Sequence, residues 1–309
     1  MQAYVARQPI LDLSGKTVGY ELLFRDSYQN SFPAIDPDEA TSKIITQNHL
    51  SFGLEDICQN KLAFINFHED SLLHHFPTSL DTQSTVIEIL EGVSITEDLI
   101  ASCKELKILG YKMALDDHNF AEEWRMLYPY ISIIKVDISQ FDQLEIELFA
   151  QFVKSEYPHI ELLAERVETE QELLTLKEFG YQLFQGYFFA KPEIVEQTAF
   201  SSDKLKLLNL ISVMTEHDVT FDDIAEVIET DLTISFKLLR FISTSSNITQ
   251  SKITTVKHAI SYLGLYETRK FVALLAIANL NEENCAEIHD MALVRAKFCE
   301  YMELYFDPN

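Results

Sequence analysis

The sequence is short of the residues that break, cross-link or anchor a chain. Eight glycines and eight prolines in 309 residues are too few for a collagen-like, low-complexity or disordered polymer, and 47% hydrophobic residues supply a sizeable core. Cys58, Cys103, Cys285 and Cys299 are scattered, with no CxxC pair. That excludes zinc-type spacing and predicts reduced thiols in a cytoplasmic protein. Basic residues are scarce as well: 24 Lys and Arg face 49 Asp and Glu, for a formal charge of −25. Such a surface repels phosphate backbones, so bulk nucleic acid is not expected as a partner, whereas metal cations and basic proteins are. The longest apolar run, Phe271–Leu280, contains Asn279 and falls far short of the ~20 residues of a spanning helix. The opening MQAYVARQPILDL has no secretory signal pattern. No membrane insertion is expected.

Rhythm and charge divide the chain. Residues 1–200 carry 33 acids and 14 bases, residues 201–309 carry 16 and 10. In the first part, short β-rich runs alternate with helical stretches. The runs are Thr17–Arg25, Leu62–Phe67, Thr85–Leu90, Lys112–Asp117, Ile131–Asp137, Ile160–Arg166 and Leu183–Phe189. The helices are predicted at Asp36–Leu54, Thr96–Leu109, Glu145–Lys154 and Thr169–Phe179. Asp36-Pro37 reads as a helix start, Thr169 to Glu172 as a capping box, and Gly110 and Gly180 as left-handed stops. Alternation of this kind implies βαβ units, and seven runs in so short a stretch point to an α/β fold closed as a (βα) barrel. From about Ser201 only helical spacing remains: Leu205–Met214, Phe221–Thr230, Thr233–Thr244, Thr254–Leu263, Glu267–Leu280 and Cys285–Leu304. The expected domains are a barrel over 1–197 and an all-α domain over 198–309.

The strand ends carry the chemistry. Glu21, Asn66, Glu88, Asp116-Asp117, Lys135, Glu165 and Gln185 each sit at or near the end of a β-rich run, and a βα barrel brings such ends to one mouth. A single acid there is ordinarily a helix cap or a solvated loop residue. Six strand ends with ligand-type side chains are harder to obtain by chance. Crowded carboxylates need cations or protons, hard oxygen donors select Mg²⁺ or Mn²⁺ over zinc, and an Asp-Asp pair can bridge two ions to activate water against a phosphoryl group.

These motifs, in this order, resemble the EAL domain of bacterial cyclic-di-GMP signalling. They are RQPILDLSGKTVGYELLFR, Asn66 in FIN, Glu88 and Glu91 in EILE, Asp116-Asp117, Lys135 in IKVD, Glu165 and Glu168 in AERVE, and Gln185 in QGYFFAKP. The resemblance covers roughly residues 3–197. It implies a modified TIM barrel that hydrolyses cyclic-di-GMP to linear pGpG with two Mg²⁺ or Mn²⁺ ions. On the matching positions, Glu21, Asn66, Glu88 and Asp116 hold the first ion. Asp116 bridges to the second, which Asp117 and Glu165 complete. Lys135 holds the attacking water, Glu165 is the candidate general base and Gln185 orients water. Glu91 and Glu168 support the loops and the lysine, and Gln8, Leu22 and Arg25 touch the dinucleotide, Arg25 through a phosphate. The helical part, with IETDLTISFKLLRFISTSS, KITTVKHAISYLGLYETRKFVAL and ALVRAKFCEYMEL, resembles an HDOD domain, implying a regulatory module for protein partners. His217-Asp218 and His289-Asp290 read as coincidental HD dipeptides.

Three features depart from the EAL pattern. The continuation after the Asp pair, His118-Asn119-Phe120-Ala121-Glu122-Glu123-Trp124, has no glycine where active family members carry a flexible Gly-rich loop. The expectation is a helix beginning after Asn119 with Trp124 in the core. Arg166 stands where the family has glycine, placed either to pair with Glu165 or to reach a substrate phosphate. The HDOD-like part is shorter than its family's usual length, which suggests absent last helices. The leading expectation is a phosphodiesterase. The alternative is a catalytically inactive adaptor that senses cyclic-di-GMP or binds proteins, and a general sugar- or phosphate-processing barrel enzyme ranks last. A homodimer stays open.

Overall fold

The computed structural model describes residues 2–25, 37–49, 54–189, 193–198, 204–214, 219–244, 253 and 255–280. It separates into two compact units, one formed chiefly by residues up to 199 and the other by residues from 200 onwards.

In the first unit β1 (Gln2–Asp12) and β2 (Thr17–Arg25) form an antiparallel hairpin. Its turn is fixed by Asp12, whose Oδ1 accepts from Ser14 N and Lys16 N at 2.9 and 3.0 Å, and by Gly15 at φ 80°. From β2 the sheet runs parallel through β3 (Leu62–Phe67), β4 (Thr85–Ile89), β5 (Lys112–Leu115), β6 (Ile133–Asp137), β7 (Glu161–Glu165) and β8 (Leu183–Phe184). β8 pairs back on Leu11 and Asp12 of β1 and closes the barrel, and β9 (Glu193–Thr198) covers Gln2–Arg7 of β1. The barrel is thus parallel except for β1, a strand absent from the seven predicted runs. Its Pro9 and its antiparallel pairing take it outside the βαβ rhythm by which the others are recognised. Leu183–Phe189, predicted as one run, is strand only at its first two residues. Beyond them Gly186 crosses residue 167 so closely that a Cβ would lie 2.2 Å from Val167 O, and the chain must leave the ladder.

The helices between the strands are α1 (Pro37–Lys43), α2 (Leu54–Ile57), α3 (Glu69–Leu73), α4 (Glu97–Ile108), α5 (Gln143–Glu156) and α6 (Glu170–Phe179). Thr96 caps α4 by accepting from Leu99 N, and α5 and α6 carry reciprocal capping boxes, Asp142 with Glu145 and Thr169 with Glu172. Gly180 ends α6 at φ 101°. The helix predicted over Asp36–Leu54 is regular only to Lys43 and continues as a wider turn to His49; its expected cap, Asp36, lies outside the described residues. No α-helix separates β5 from β6, where a single tight turn, Glu122–Met126, stands instead.

Side chains alternate along each strand, so every second residue faces the barrel interior. One interior layer is apolar: Ile10, Phe64, Val86, Ala114, Ile133, Leu163 and Leu183. Gly19 belongs to it without a side chain, because a Cβ there would lie 2.7 Å from the Phe64 ring and 2.8 Å from Leu62 O. Two residues nearer the mouth on each strand stand Gln8, Glu21, Asn66, Glu88, Asp116, Lys135, Glu165 and Gln185. The barrel therefore lifts a polar layer on an apolar floor.

The second unit contains α7 (Lys204–Met214), α8 (Phe221–Glu229), α9 (Leu232–Thr244) and α10 (Val256–Leu280), the last kinked at Gly264, φ 76°. Thr220 and Asp231 cap α8 and α9. The two helices predicted between Thr254 and Leu280 are the two arms of α10. Cys285–Leu304 and both HD dipeptides lie outside the described residues. Among the described residues no helix is long and apolar enough to cross a membrane. Cys58 and Cys103 are buried free thiols whose pKa burial pushes up to about 12.

Candidate active site

The polar layer is organised around one ammonium group. Lys135 Nζ lies 2.6 Å from Asp116 Oδ1, 2.7 Å from Glu88 Oε1, 3.1 Å from Glu165 Oε1 and 3.7 Å from Glu21 Oε2. Lys135 and Glu88 are fully buried. Burial alone would lower the lysine's pKa, but Asp116, Glu165, Glu21 and Glu88 outweigh it and hold it well above the ordinary value. The same burial drives the Glu88 and Glu165 carboxyls well above theirs, against the opposing pull of Lys135. Gln185 Nε2 donates to Glu21 Oε2. Gln8 lies opposite Glu21 in the β1–β2 register, so the antiparallel strand also delivers a polar side chain to this layer.

One charge does not satisfy the oxygens gathered there. Asn66 Oδ1, Glu88 Oε2, Glu165 Oε2 and Gln185 Oε1 are buried without a hydrogen-bond donor. A buried acceptor without a donor is costly, and a surplus of hard oxygen acceptors over donors suits a Mg²⁺- or Mn²⁺-type cation. Among the described residues no three His, Cys, Asp or Glu side chains already stand at ion-binding distance of a common point; the carboxylates converge on Lys135 Nζ instead. The donor set fits a divalent ion chemically, and Glu21, Asn66, Glu88, Asp116 and Asp117 would hold it.

Above the layer opens a cavity of about 200 Å³ lined by Gln8, Glu21, Leu23, Asp116, Asp117, Glu165, Arg166 and Gln185. Asp117 stands at its rim in the left-handed region, φ 41°. Its pKa is raised to about 6, by burial first and then by Asp116 and Glu91. The segment after it is fastened to the barrel. His118 N donates to Lys135 O at 3.0 Å. The His118 ring is buried among Phe120, Trp124, Tyr128 and Phe149, and burial lowers its pKa to about 4. Its Nδ1 accepts from Phe120 N and its Nε2 meets Tyr128 Oη, both at 3.0 Å. Trp124, 2% exposed, donates its indole N–H to Asn119 Oδ1 at 3.0 Å. The expected core tryptophan is present, on a tight turn rather than a full helix. The His118 box was not legible in sequence, because its rings come from the loop after β5, the following turn region and α5.

Three expected positions stand outside the Lys135 cluster, and the side chain of a fourth is not among those described. Leu22 is fully buried on the opposite face of β2 from Glu21, and strand alternation turns Leu23 to the mouth instead. Arg25 ends β2, but its side chain lies outside the described residues. Glu91 and Glu168 are exposed, and neither is among the partners of Lys135, which are Glu21, Glu88, Asp116 and Glu165. For Glu168 only the backbone N–H is engaged, with Glu172 Oε2 at 2.8 Å. Arg166 does not pair with Glu165. Its Nε lies 3.1 Å from Asp137 Oδ2, and its backbone is left-handed, φ 57°, which explains why glycine is at home there.

Comparison with known proteins follows this division of the chain. A family model for the EAL domain matches residues 2–192, and one for the HDOD domain matches residues 205–299. A Vibrio cholerae protein named cyclic di-GMP phosphodiesterase CdgJ is 37% identical over 303 residues, 97% of this chain and 69% of that protein. The Bacillus subtilis protein YuxH is 34% identical over 310 residues, 98% of this chain and 75% of its own length. Among solved structures, Bacillus subtilis YkuI, a protein with an EAL domain in complex with its substrate c-di-GMP and calcium, superposes with a TM-score of 0.50 at 17% identity. The match covers 77% of this chain and 73% of that one, a likeness of fold. The barrel with its ring of strand-end ligands, the matched models and a relative aligned across nearly the whole chain lead to one assignment: this chain belongs to the EAL domain family and carries an HDOD domain behind its barrel.

Proposed function

We propose that the chain is a metal-dependent phosphodiesterase that hydrolyses cyclic di-GMP to linear pGpG in the cytoplasm, with the HDOD domain as its regulatory, partner-binding module. The observation that carries this reading is the ring of buried acceptor oxygens around Lys135 at the barrel mouth. The name of the Vibrio relative and the calcium and c-di-GMP in the YkuI structure support it.

In this reading Glu21, Asn66, Glu88 and Asp116 would hold one ion, and Asp116 and Asp117 would contribute to holding a second, which leaves Glu165 to act as the base. When bound, Mg²⁺ or Mn²⁺ supplies Lewis-acid charge at the phosphoryl oxygens and lowers the pKa of water. Lys135 Nζ donates a hydrogen bond to the attacking water and fixes its position. Glu165, whose pKa burial raises, takes the proton, since a general base works best when its pKa approaches the working pH. Gln185, held by Glu21, orients the water, and Gln8 lines the substrate's entrance.

A second reading, a non-catalytic adaptor, is favoured by the segment after Asp117, which lacks glycine and is pinned by Trp124 and His118. Hydrolysis of cyclic di-GMP by the purified chain with Mg²⁺ or Mn²⁺ decides between them, with product analysis, a chelator arm and Glu21→Ala. Metal-dependent pGpG, lost in both controls, is the expected result. A folded chain without turnover in either metal sinks the enzyme reading in favour of the adaptor.

A further inference from the structure

The wall of the mouth is acidic, and the ligand assigned to it is an anion with two phosphates. Glu21, Asp116, Asp117 and Glu165 all line the cavity, and Arg166 is the one cationic side chain among its lining residues. Lys135 beneath lies within 3.7 Å of four carboxylates. Among the described residues Arg166 pairs with none of the ring carboxylates. Its Nε is engaged by Asp137, itself 3% exposed and fixed by Ser139 N and Oγ on Oδ1 and by Gln140 Nε2 on Oδ2. Among the described residues Nη1 and Nη2 donate no hydrogen bond, and the side chain is 62% exposed. The guanidinium is thus anchored at its inner nitrogen and presents its outer pair of N–H donors, the geometry of bidentate phosphate recognition. Its left-handed backbone, φ 57°, is strained for a residue with a Cβ, a strain that glycine would avoid and that persists at binding sites.

We infer that Arg166 binds the non-scissile phosphodiester of the cyclic dinucleotide, seated on Asp137, and so selects for a substrate with two phosphates. The inference rests on the phosphodiesterase reading. One phosphodiester occupies the centre above Lys135; the ring geometry of a cyclic dinucleotide then carries the other towards the rim, where Arg166 stands. Opposite charge at that point also offsets repulsion between a dianion and the acidic wall.

The test compares wild type, Arg166→Gly and Arg166→Lys with cyclic di-GMP and with bis(p-nitrophenyl) phosphate, which has a single phosphodiester. Binding of cyclic di-GMP in Ca²⁺ is titrated in parallel. For Arg166→Gly the expected result is a rise in KM and Kd for the dinucleotide of about tenfold or more, exceeding the loss with the single phosphodiester by a similar factor. Its melting temperature should be no lower than wild type, because glycine relieves the backbone. Arg166→Lys restores only part of the loss, having charge without the fork. An unchanged KM and Kd in Arg166→Gly, or equal losses with both substrates, overturns the role of Arg166 and leaves the phosphodiesterase reading intact. A wild-type chain that neither binds nor hydrolyses cyclic di-GMP overturns both.

Discussion

Ile10, Phe64, Val86, Ala114, Ile133, Leu163 and Leu183 form one interior layer of the barrel. Gln8, Glu21, Asn66, Glu88, Asp116, Lys135, Glu165 and Gln185 form the next, two residues away on the same strands. The backbone treats them alike, with the same ladder, pleat and inward aim. In the lower layer, burial removes apolar surface from water and stabilises the fold at roughly 25 cal/mol per Å². In the upper layer the same burial raises the pKa of Glu88 and Glu165 and leaves acceptor oxygens without donors, which works against stability. A functional layer of this kind is sustained by the one beneath it, and the two should respond to substitution in opposite ways.

The largest expected effect comes from breaking the upper layer alone. Lys135→Ala should cut hydrolysis of cyclic di-GMP by roughly 10³-fold, the scale of removing a preorganised electrostatic group, while circular dichroism still shows a cooperative unfolding transition. Phe64→Ala breaks the floor instead. It should cost about 3–5 kcal/mol of stability in urea unfolding and lower activity per folded molecule far less than Lys135→Ala does. Gly19→Ala strikes the junction of the layers by forcing a Cβ against the Phe64 ring and Leu62 O. Overpacking of this kind costs about 1–3 kcal/mol, read in the same unfolding assay.

The smallest effect sharpens the contrast by pH. Asp117 has a pKa near 6 in the fold, above its ordinary 3.8, so the folded chain holds an extra proton between those values. Its contribution to stability is therefore lost as pH rises through about 6. A divalent cation that takes Asp117 as a ligand removes this penalty. The rise in melting temperature produced by Mn²⁺ should accordingly be greater near pH 7.5 than near pH 5, and Asp117→Asn should flatten the difference.

Much of this was legible in the chain itself. The strands β2 to β7 follow from their apolar runs, and the capping boxes at Asp142 and Thr169 and the stop at Gly180 depend on residues close in sequence. The ligand-type residues are visible because each sits at or near the end of a β-rich run, as Glu88 does in TVIEIL and Lys135 in ISIIKVD. Less was legible where partners are distant. β1 escapes the sequence pattern because Pro9 and its antiparallel pairing with β2 set it outside the βαβ rhythm. Motif position points Leu22 to the mouth, whereas the pleat turns Leu23 there. The sequence offers Arg166 either to Glu165 or to a substrate phosphate, and the left-handed backbone carries it to Asp137 on the adjacent strand.

By itself the sequence determined the acidic character of the first part, the alternation of strand and helix, and the chemical type of each side chain offered at a strand end. These depend on local periodicity and on ionisable groups whose identity does not change with folding. Closure of the barrel decided the rest: that Lys135 meets four carboxylates, that several oxygens are left wanting a cation, that Trp124 and His118 fasten the segment beside Asp117, and that Arg166 stands over the mouth. Those outcomes depend on distances between residues remote in sequence, which only the closed sheet sets.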